Sequence, residues 1–330
     1  MNAVPAAAAV TLITPAPPGS KAGNRATAER WARLLEEAGL RVRVVTEYQG
    51  EPTDLLIALH AWRSREAVAT YRQHYPRGPL AVVLTGTDVY RFQDTHPDAT
   101  LHSMALADVL VGLHRQVAAD IPECFHRRLA IVLQSAPEPS AALPKDSSHF
   151  DVCVAGHLRE EKDSLRAAMA ARLLPQNSRI RILQAGKPHN EEWAVAAEQE
   201  KQDNPRFEYL GELEREATQD LMSRSRVMVI SSIMEGGANV VSEACRAGLP
   251  VIASDIPGNR GLLGGDYPGY FPARDETALA EMLRRAETDP LFLAALQAGV
   301  ERQAPAFTPA AEQKALLAAI GRAFIRPLSK

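Results

Sequence analysis

Residues 231–254 read SSIMEGGANVVSEACRAGLPVIAS. The apolar run just before them, VMVISS (227–232), has the β-rich texture of a buried strand, and NVVSEACRAG has that of a helix. The turn between the two holds Glu235, Gly236, Gly237, Ala238 and Asn239, and Glu243 follows inside the helix. A helix start exposes unpaired N–H groups and a partial positive charge. Glycines there let a ligand come close to the backbone. The arrangement suits a phosphate group. Glu243, about one turn into the helix, is placed to accept hydrogen bonds from a vicinal diol such as a ribose, and Glu235 stands on the other side of the phosphate position. The pair would bracket a nucleotide-sugar.

Outward from this stretch, strand, loop and helix alternate along the chain. VTLIT is followed by a Pro/Gly loop and the helical NRATAERWARLLEEAG, where Trp31, Leu34, Leu35 and Ala38 share a face. RVRVVTE, DLLIALH, LAVVLTG, VLVGL and LAIVLQS continue the strands, with helices from about Ser64 and near 98–107. Residues 135–149, SAPEPSAALPKDSSH, are rich in proline and serine without periodicity and read as a linker. The alternation then restarts with FDVCVAG, RIRILQAG, RFEYLGE, VMVISS and LPVIAS. Helices are expected from Ser164, near 191–201, from Glu214, over Glu276 to Ala286, from about Leu291 to Glu301, and from about Pro309 to Phe324. Short β-rich runs separated by helices predict parallel sheets covered on both faces. The fold class is therefore α/β: two facing doubly wound, Rossmann-like domains, residues 1–140 and 141–330, with a central cleft. Ligands of such sheets bind at the carboxyl ends of the strands.

Composition narrows the function. The 330 residues are 46% hydrophobic and 23% charged, with a net charge of −3. That supports buried cores and gives no electrostatic case for nucleic acid or an acidic membrane. Cys124, Cys153 and Cys245 show no metal-ligand spacing; each reads as a small buried hydrophobe in a reducing compartment. The apolar N-terminal run lacks a basic n-region, and no stretch reaches the ~20 apolar residues of a membrane span. A cytoplasmic protein with small-molecule partners is expected, without metal or cofactor.

In the first half, the loop TPAPPGSKAGNRATAERWA follows strand one. Gly19 and the cations Lys21 and Arg25 lie at a helix start that Asn24 is placed to cap, so an anion site is expected there. His60 ends DLLIALH and Arg63 follows; Thr85, Gly86, Thr87 and Asp88 end LAVVLTGTD. Both strand ends lie where α/β ligand sites form, and Asp88 equally suits a turn cap.

The E-x7-E spacing with EACRAGLPVIASD resembles the donor-site motif of the GT-B glycosyltransferases, in particular the large retaining family four. The resemblance implies that Glu243 binds the nucleotide ribose and Glu235 the hexose hydroxyls, with backbone from Gly236 to Asn239 at the diphosphate. VAGHLREEKD (154–163) resembles the family's G-R-L-x-x-x-K-G segment, whose Arg and Lys neutralise the diphosphate. Lys162 matches directly, and the arginine position is open between His157 and Arg159. Residues 254–272 lack the glutamate of the family's GG-x-x-E turn but stay glycine-rich, so a loop lining the sugar pocket is expected. The last helix, about 309–324, packs back on the N-terminal domain in such enzymes.

Taken together, TPAPPGSKAGNRATAERWA, LTGTDVY, GHLREEKD, SSIMEGGANVVSEA and IPGNRGLLGGDYPGYFP look like the selenosugar synthases of selenoneine biosynthesis. That likeness implies a UDP-sugar donor, UDP-N-acetylglucosamine, and selenophosphate as nucleophile, with Lys162, Glu235, His60 and Arg159 catalytic. The acceptor would meet Gly19, Lys21, Asn24, Arg25, Arg63, Thr85, Thr87 and Asp88. Three readings stand against it. An ordinary glycosyltransferase with a hydroxyl acceptor shares the donor half. A nicotinamide oxidoreductase shares the sheets but needs a GxGxxG loop that neither half carries. A non-catalytic nucleotide-sugar sensor would keep the ribose clamp without turnover.

Overall fold

The computed structural model describes residues 4–139 and 143–325. The chain divides into two compact units: the first runs to Ser135 and resumes at Pro309, and the second spans Ala136–Thr308. The expected domain border, 140/141, lies outside the described residues.

The first unit holds β1 (Ala9–Ile13), β2 (Arg41–Val45), β3 (Leu55–Leu59), β4 (Leu80–Leu84), β5 (Val109–Gly112) and β6 (Leu129–Ile131). They form one parallel sheet in the order β2-β1-β3-β4-β5-β6. LLIAL and LAVVL, the runs of β3 and β4, are buried at every position. Strands covered on both faces need that lack of alternation. Around them lie α1 (Gly23–Glu37), α2 (Arg65–His74), the short α3 (Gln93–Thr95) and α4 (Pro97–Leu106). Helix α1 buries Thr27, Ala28, Trp31, Leu34 and Leu35. Ala38 is exposed instead of joining that face, because α1 ends before it.

The second unit holds β7 (Phe150–Ala155), β8 (Ile180–Ala185), β9 (Phe207–Tyr209), β10 (Val227–Ile230), β11 (Val251–Ser254) and β12 (Tyr270–Phe271). Its parallel sheet runs β12-β11-β10-β7-β8-β9. Its helices are α5 (Arg166–Arg172), α6 (Glu191–Asp203), α7 (Arg215–Arg224), α8 (Asn239–Ala247), α9 (Pro257–Leu263), α10 (Glu276–Thr288) and α11 (Pro290–Gln303). The stretch expected as a loop, 254–272, instead contains α9. Pro257 opens a helix, and Asn259, fully buried, donates to the Ser254 carbonyl at 2.9 Å. Proline at a first helical position is pre-set for the turn.

The terminal helix α12 (Pro309–Phe324) belongs to the first unit, with Leu316, Ala319, Ile320 and Ala323 in the core that also holds Trp31, Leu35, Val83 and Val109. Among the cysteines, Cys153 and Cys245 are buried, while Cys124 is exposed, against expectation, on a short 3-10 turn.

Strand order reverses between β1 and β3 in the first unit and between β7 and β10 in the second. Ligand crevices of doubly wound sheets open at such switch points, outside the carboxyl ends of the strands.

Candidate functional site

At the switch point of the second unit, the turn after β7 and the turn after β10 meet. Lys162 lies on a 3-10 turn, Glu160–Lys162, that ends at Asp163 in a left-handed conformation, φ 45°. A small polar residue tolerates that conformation where other side chains clash. Asp163 stands where the resembling segment carries glycine. Lys162 Nζ forms an ion pair with Glu235 Oε1. Glu235 is 7% exposed, and its carboxylate also accepts from Ser232 Oγ at 2.6 Å. Ser231 Oγ ties the two turns together, donating to the carbonyls of Lys162 and Asp163 at 3.1 and 2.9 Å. Helix α9 fixes Glu235 from the far side. A Cβ on Gly258 would lie 2.3 Å from the Glu235 carbonyl oxygen, so only glycine permits this approach.

Helix α8 begins just beyond, with Ala238 as N-cap and no capping side chain. Gly236 and Ala238 are buried; Gly237 and Asn239 are half-buried. His157 and Arg159 are half-buried on the turn after β7, and Arg159 Nε lies 3.9 Å from Glu161 Oε2. A small recess of about 20 Å³ opens at the carboxyl ends of β7, β8 and β10, lined among others by Gly156, Lys162, Gln184, Ser231 and Val240. Glu243 does not line it. It lines a separate cavity of about 350 Å³, with Lys145, Gln219, Met222 and Ala247. The structure therefore joins Glu235 to Lys162, while Glu243 lines the separate cavity. Gln184, Ser231 and Ser232 were absent from the sequence-derived set. The available signal was a glutamine, Gln184, between the apolar Leu183 and Ala185 of the strand IRILQA.

In the first unit, His60 follows the last residue of β3 with φ 75°, unusual for a residue with a side chain, and is 1% exposed. Its Nδ1 accepts from the Arg63 N–H at 3.2 Å, so Nε2 carries the proton and donates to Thr87 Oγ1 at 2.9 Å. Burial, the largest cause, lowers its pKa; nearby Asp88 opposes that shift and Arg63 adds to it. The carboxylate of Asp88, wholly buried, accepts from the N–H groups of Ala61, Thr85, Gly86 and Val89. It ties the turn after β3 to the turn after β4. Thr85 and Thr87 remain half-buried, and Arg63 is exposed. The chain continues into a π-helical turn, Asp88–Phe92, a local form common at functional sites.

The loop after β1 sits across the switch point from His60. Gly19 has φ 78°, and Lys21 is exposed. Asn24 does not cap α1, contrary to expectation: Ala22 is the N-cap, and Asn24 falls inside the first turn. Arg25 pairs with Glu29 at 2.6 Å, with an 11% exposed side chain. Among the described residues, no group of three His, Cys, Asp or Glu side chains could hold a metal ion. No helix among them is long and apolar enough to cross a membrane.

Solved structures share this architecture. Sucrose-phosphate synthase from Thermosynechococcus elongatus matches with TM-score 0.76 and 19% identity, over 94% of this chain and 97% of that one. Anabaena HepE in complex with UDP and glucose matches with TM-score 0.73 and 14% identity, over 94% and 98%. An α,α-trehalose-phosphate synthase (UDP-forming) from Burkholderia vietnamiensis matches with TM-score 0.67 and 15% identity, over 82% and 74%. No curated protein sequence matches the chain. Residues 135–303 match the family model of glycosyl transferases group 1, a span that contains Lys162, Glu235 and Glu243. With two parallel-sheet Rossmann-like units and that match over half its length, the chain belongs to the group 1 glycosyl transferases of GT-B fold.

Proposed function

We propose that the protein transfers a hexose, N-acetylglucosamine, from its UDP-sugar to selenophosphate, forming a carbon–selenium bond. The observation that carries the donor half is the Lys162–Glu235 ion pair at the β7/β10 switch point, beside the uncapped start of α8. Lys162, with His157 or Arg159, faces the diphosphate, and the backbone of Gly236, Gly237, Ala238 and Asn239 cradles it. Positive charge is needed there because negative charge develops on the leaving group. Glu235, released from Lys162 as the diphosphate takes its place, accepts from hexose hydroxyls. Glu243 takes the ribose through a rearrangement of its side chain on α8. The UDP and glucose bound in HepE, a neighbour in fold, support a donor of this class.

The acceptor reading rests on the first unit and on the motifs that resemble selenosugar synthases. Asp88 is fully engaged by backbone N–H groups and is no candidate for a general base. A hydroxyl acceptor benefits from such a base, whereas selenophosphate is already anionic and nucleophilic. Lys21, Arg25 and Arg63 supply charge, and Thr85 and Thr87 supply hydroxyl groups. His60 orients Thr87, with Gly19 and Asn24 shaping the loop beside it. Selenium attacks the anomeric carbon as the bond to the diphosphate oxygen breaks, and UDP leaves with the electron pair. Water then cleaves the selenium–phosphorus bond, giving a selenosugar and phosphate.

One observation favours a second reading, a sugar hydroxyl as acceptor. Trp62 stacks on Phe92 with ring centroids 4.1 Å apart, beside His96, and forms a half-exposed aromatic shelf close to His60. Such surfaces suit the apolar face of a sugar ring. Purified protein mixed with UDP-N-acetylglucosamine and selenophosphate, followed by mass analysis, decides the matter. UDP together with a selenium-containing sugar supports the first reading. UDP released only with hydroxyl acceptors supports the second. No UDP release with any acceptor overturns both.

A further inference from the structure

Gln184 sits near the end of β8, 1% exposed, and neither its amide oxygen nor its amide nitrogen has a protein partner among the described residues. A buried polar side chain is normally satisfied, because an unpaired amide in the interior keeps the full penalty of leaving water. Its neighbours in β8 are apolar and buried, so a leucine would fit the pattern of the strand better. The amide lines the recess that Gly156, Lys162 and Ser231 share with the first turn of α8. At about 20 Å³ the recess has room for one water molecule. A Cβ on Gly186 would lie 1.8 Å from the carbonyl oxygen of Gly156, a lining residue of the recess, so the turns after β7 and β8 are in direct backbone contact.

From the unpaired amide, the water-sized recess and the adjoining Lys162, we infer that Gln184 is the polar floor of the donor's diphosphate site. It bonds a phosphoryl oxygen through the single water that the recess holds. The inference rests on the donor reading above and adds a residue to it. The amide carries both a donor and an acceptor, so it holds the water in one orientation, with a lone pair toward Gln184 Nε2–H and a proton toward the phosphoryl oxygen. It selects for the diphosphate and is indifferent to the base and ribose.

Calorimetric titration with UDP and with uridine tests this, with circular dichroism to check folding. Gln184→Leu is expected to weaken UDP binding by about tenfold, the scale of losing a water-bridged hydrogen bond to the phosphate, and to leave uridine binding as in the parent. Gln184→Glu supplies a second readout should the leucine variant fail to fold. Protonated, the glutamic acid imitates the amide; ionised, it repels the phosphate. Its UDP affinity relative to the parent should therefore fall as pH rises from 5.5 to 8, a range of about two and a half units chosen to span a buried carboxyl group. UDP affinity unchanged in Gln184→Leu while Lys162→Ala loses it, a parallel loss of uridine, or a flat profile for Gln184→Glu each overturns the inference and leaves the donor reading standing. A parent protein that binds no UDP overturns the donor reading itself.

Discussion

Lys162 and Glu235, 73 positions apart in the chain, meet as an ion pair with side chains only 22% and 8% exposed. The contact makes each residue part of the other's environment. In the proposed donor complex Lys162 would turn to phosphate and Glu235 to sugar, so the two would act as one exchange. Lys162→Met should lower kcat by about 100- to 1,000-fold, the scale seen when one donor to a developing oxyanion is removed. Glu235→Gln in that background should add far less than it costs alone, since residues acting as a unit are not additive. Steady-state kinetics of the two single variants and the double variant measure the coupling; additive losses would show the pair to be incidental.

Gly258 tests how tightly Glu235 is held. Gly258→Ala drives a methyl into the Glu235 carbonyl and its Cβ, so α9 must retreat. Overpacking of this kind costs ~1–3 kcal/mol. The second unit should melt several degrees lower, and kcat should fall because Glu235 moves with its backbone. Thermal denaturation and kinetics on the same preparation check both, and an unchanged melting temperature would contradict the packing.

These two cases also mark how far the sequence could be read. The uninterrupted apolar runs LLIAL and LAVVL predict buried parallel strands, and β3 and β4 are buried throughout. Alternation with helices predicts the doubly wound sheets. Resemblance supplies Lys162 and Glu235 individually, but their contact depends on β10 lying beside β7, a pairing no local pattern encodes. Helix α9 is hidden because proline, glycine and asparagine spell a loop, whereas the local bond of Asn259 to Ser254 and the tertiary approach of Gly258 to Glu235 accompany a helix. Asn24 suits an N-cap by type, yet α1 starts earlier. The linker composition locates the passage between units only broadly. Gln184 is visible as an oddity in its strand, and its meaning comes only from the recess.

His60 sets a pH dependence. Its pKa lies below the ordinary value of 6.5, chiefly from burial, with Asp88 opposing and Arg63 adding to the shift. Below that ordinary value the unfolded chain takes up a proton that folded His60 refuses. The contribution of His60 to stability is therefore fully present above about pH 6.5 and is lost as pH falls through the lowered pKa. Protonation would also set an N–H on Nδ1 against the N–H of Arg63. Denaturant midpoints between pH 5 and 7, about the range in which histidine titrates, should drop on acidification in the parent and drop less in His60→Gln. Equal slopes in the two proteins would remove His60 as the cause.

The last prediction concerns Glu312, on α12, which composition alone marks as one more polar residue of an amphipathic helix. It is 1% exposed. Its carboxylate accepts from Arg30 Nε at 2.9 Å, Trp31 Nε1 at 2.7 Å and the Ser135 N–H at 2.8 Å, and from the Ser135 hydroxyl. One buried charge thus joins α1, α12 and the last residue of the first unit before the chain leaves it. Removing one partner of a buried pair costs ~3–5 kcal/mol, because the remaining charge stays desolvated. Glu312→Ala leaves the Arg30 guanidinium, the Trp31 indole and the Ser135 amide without their acceptor. It should therefore lower the denaturant midpoint of the first unit markedly, while Glu312→Gln, which keeps an acceptor oxygen, should lower it less. Urea unfolding followed by tryptophan fluorescence in a Trp193→Phe background, where only Trp31 and Trp62 remain, reads this unit, and a midpoint unmoved by Glu312→Ala would mean that apolar packing alone holds α12 in place.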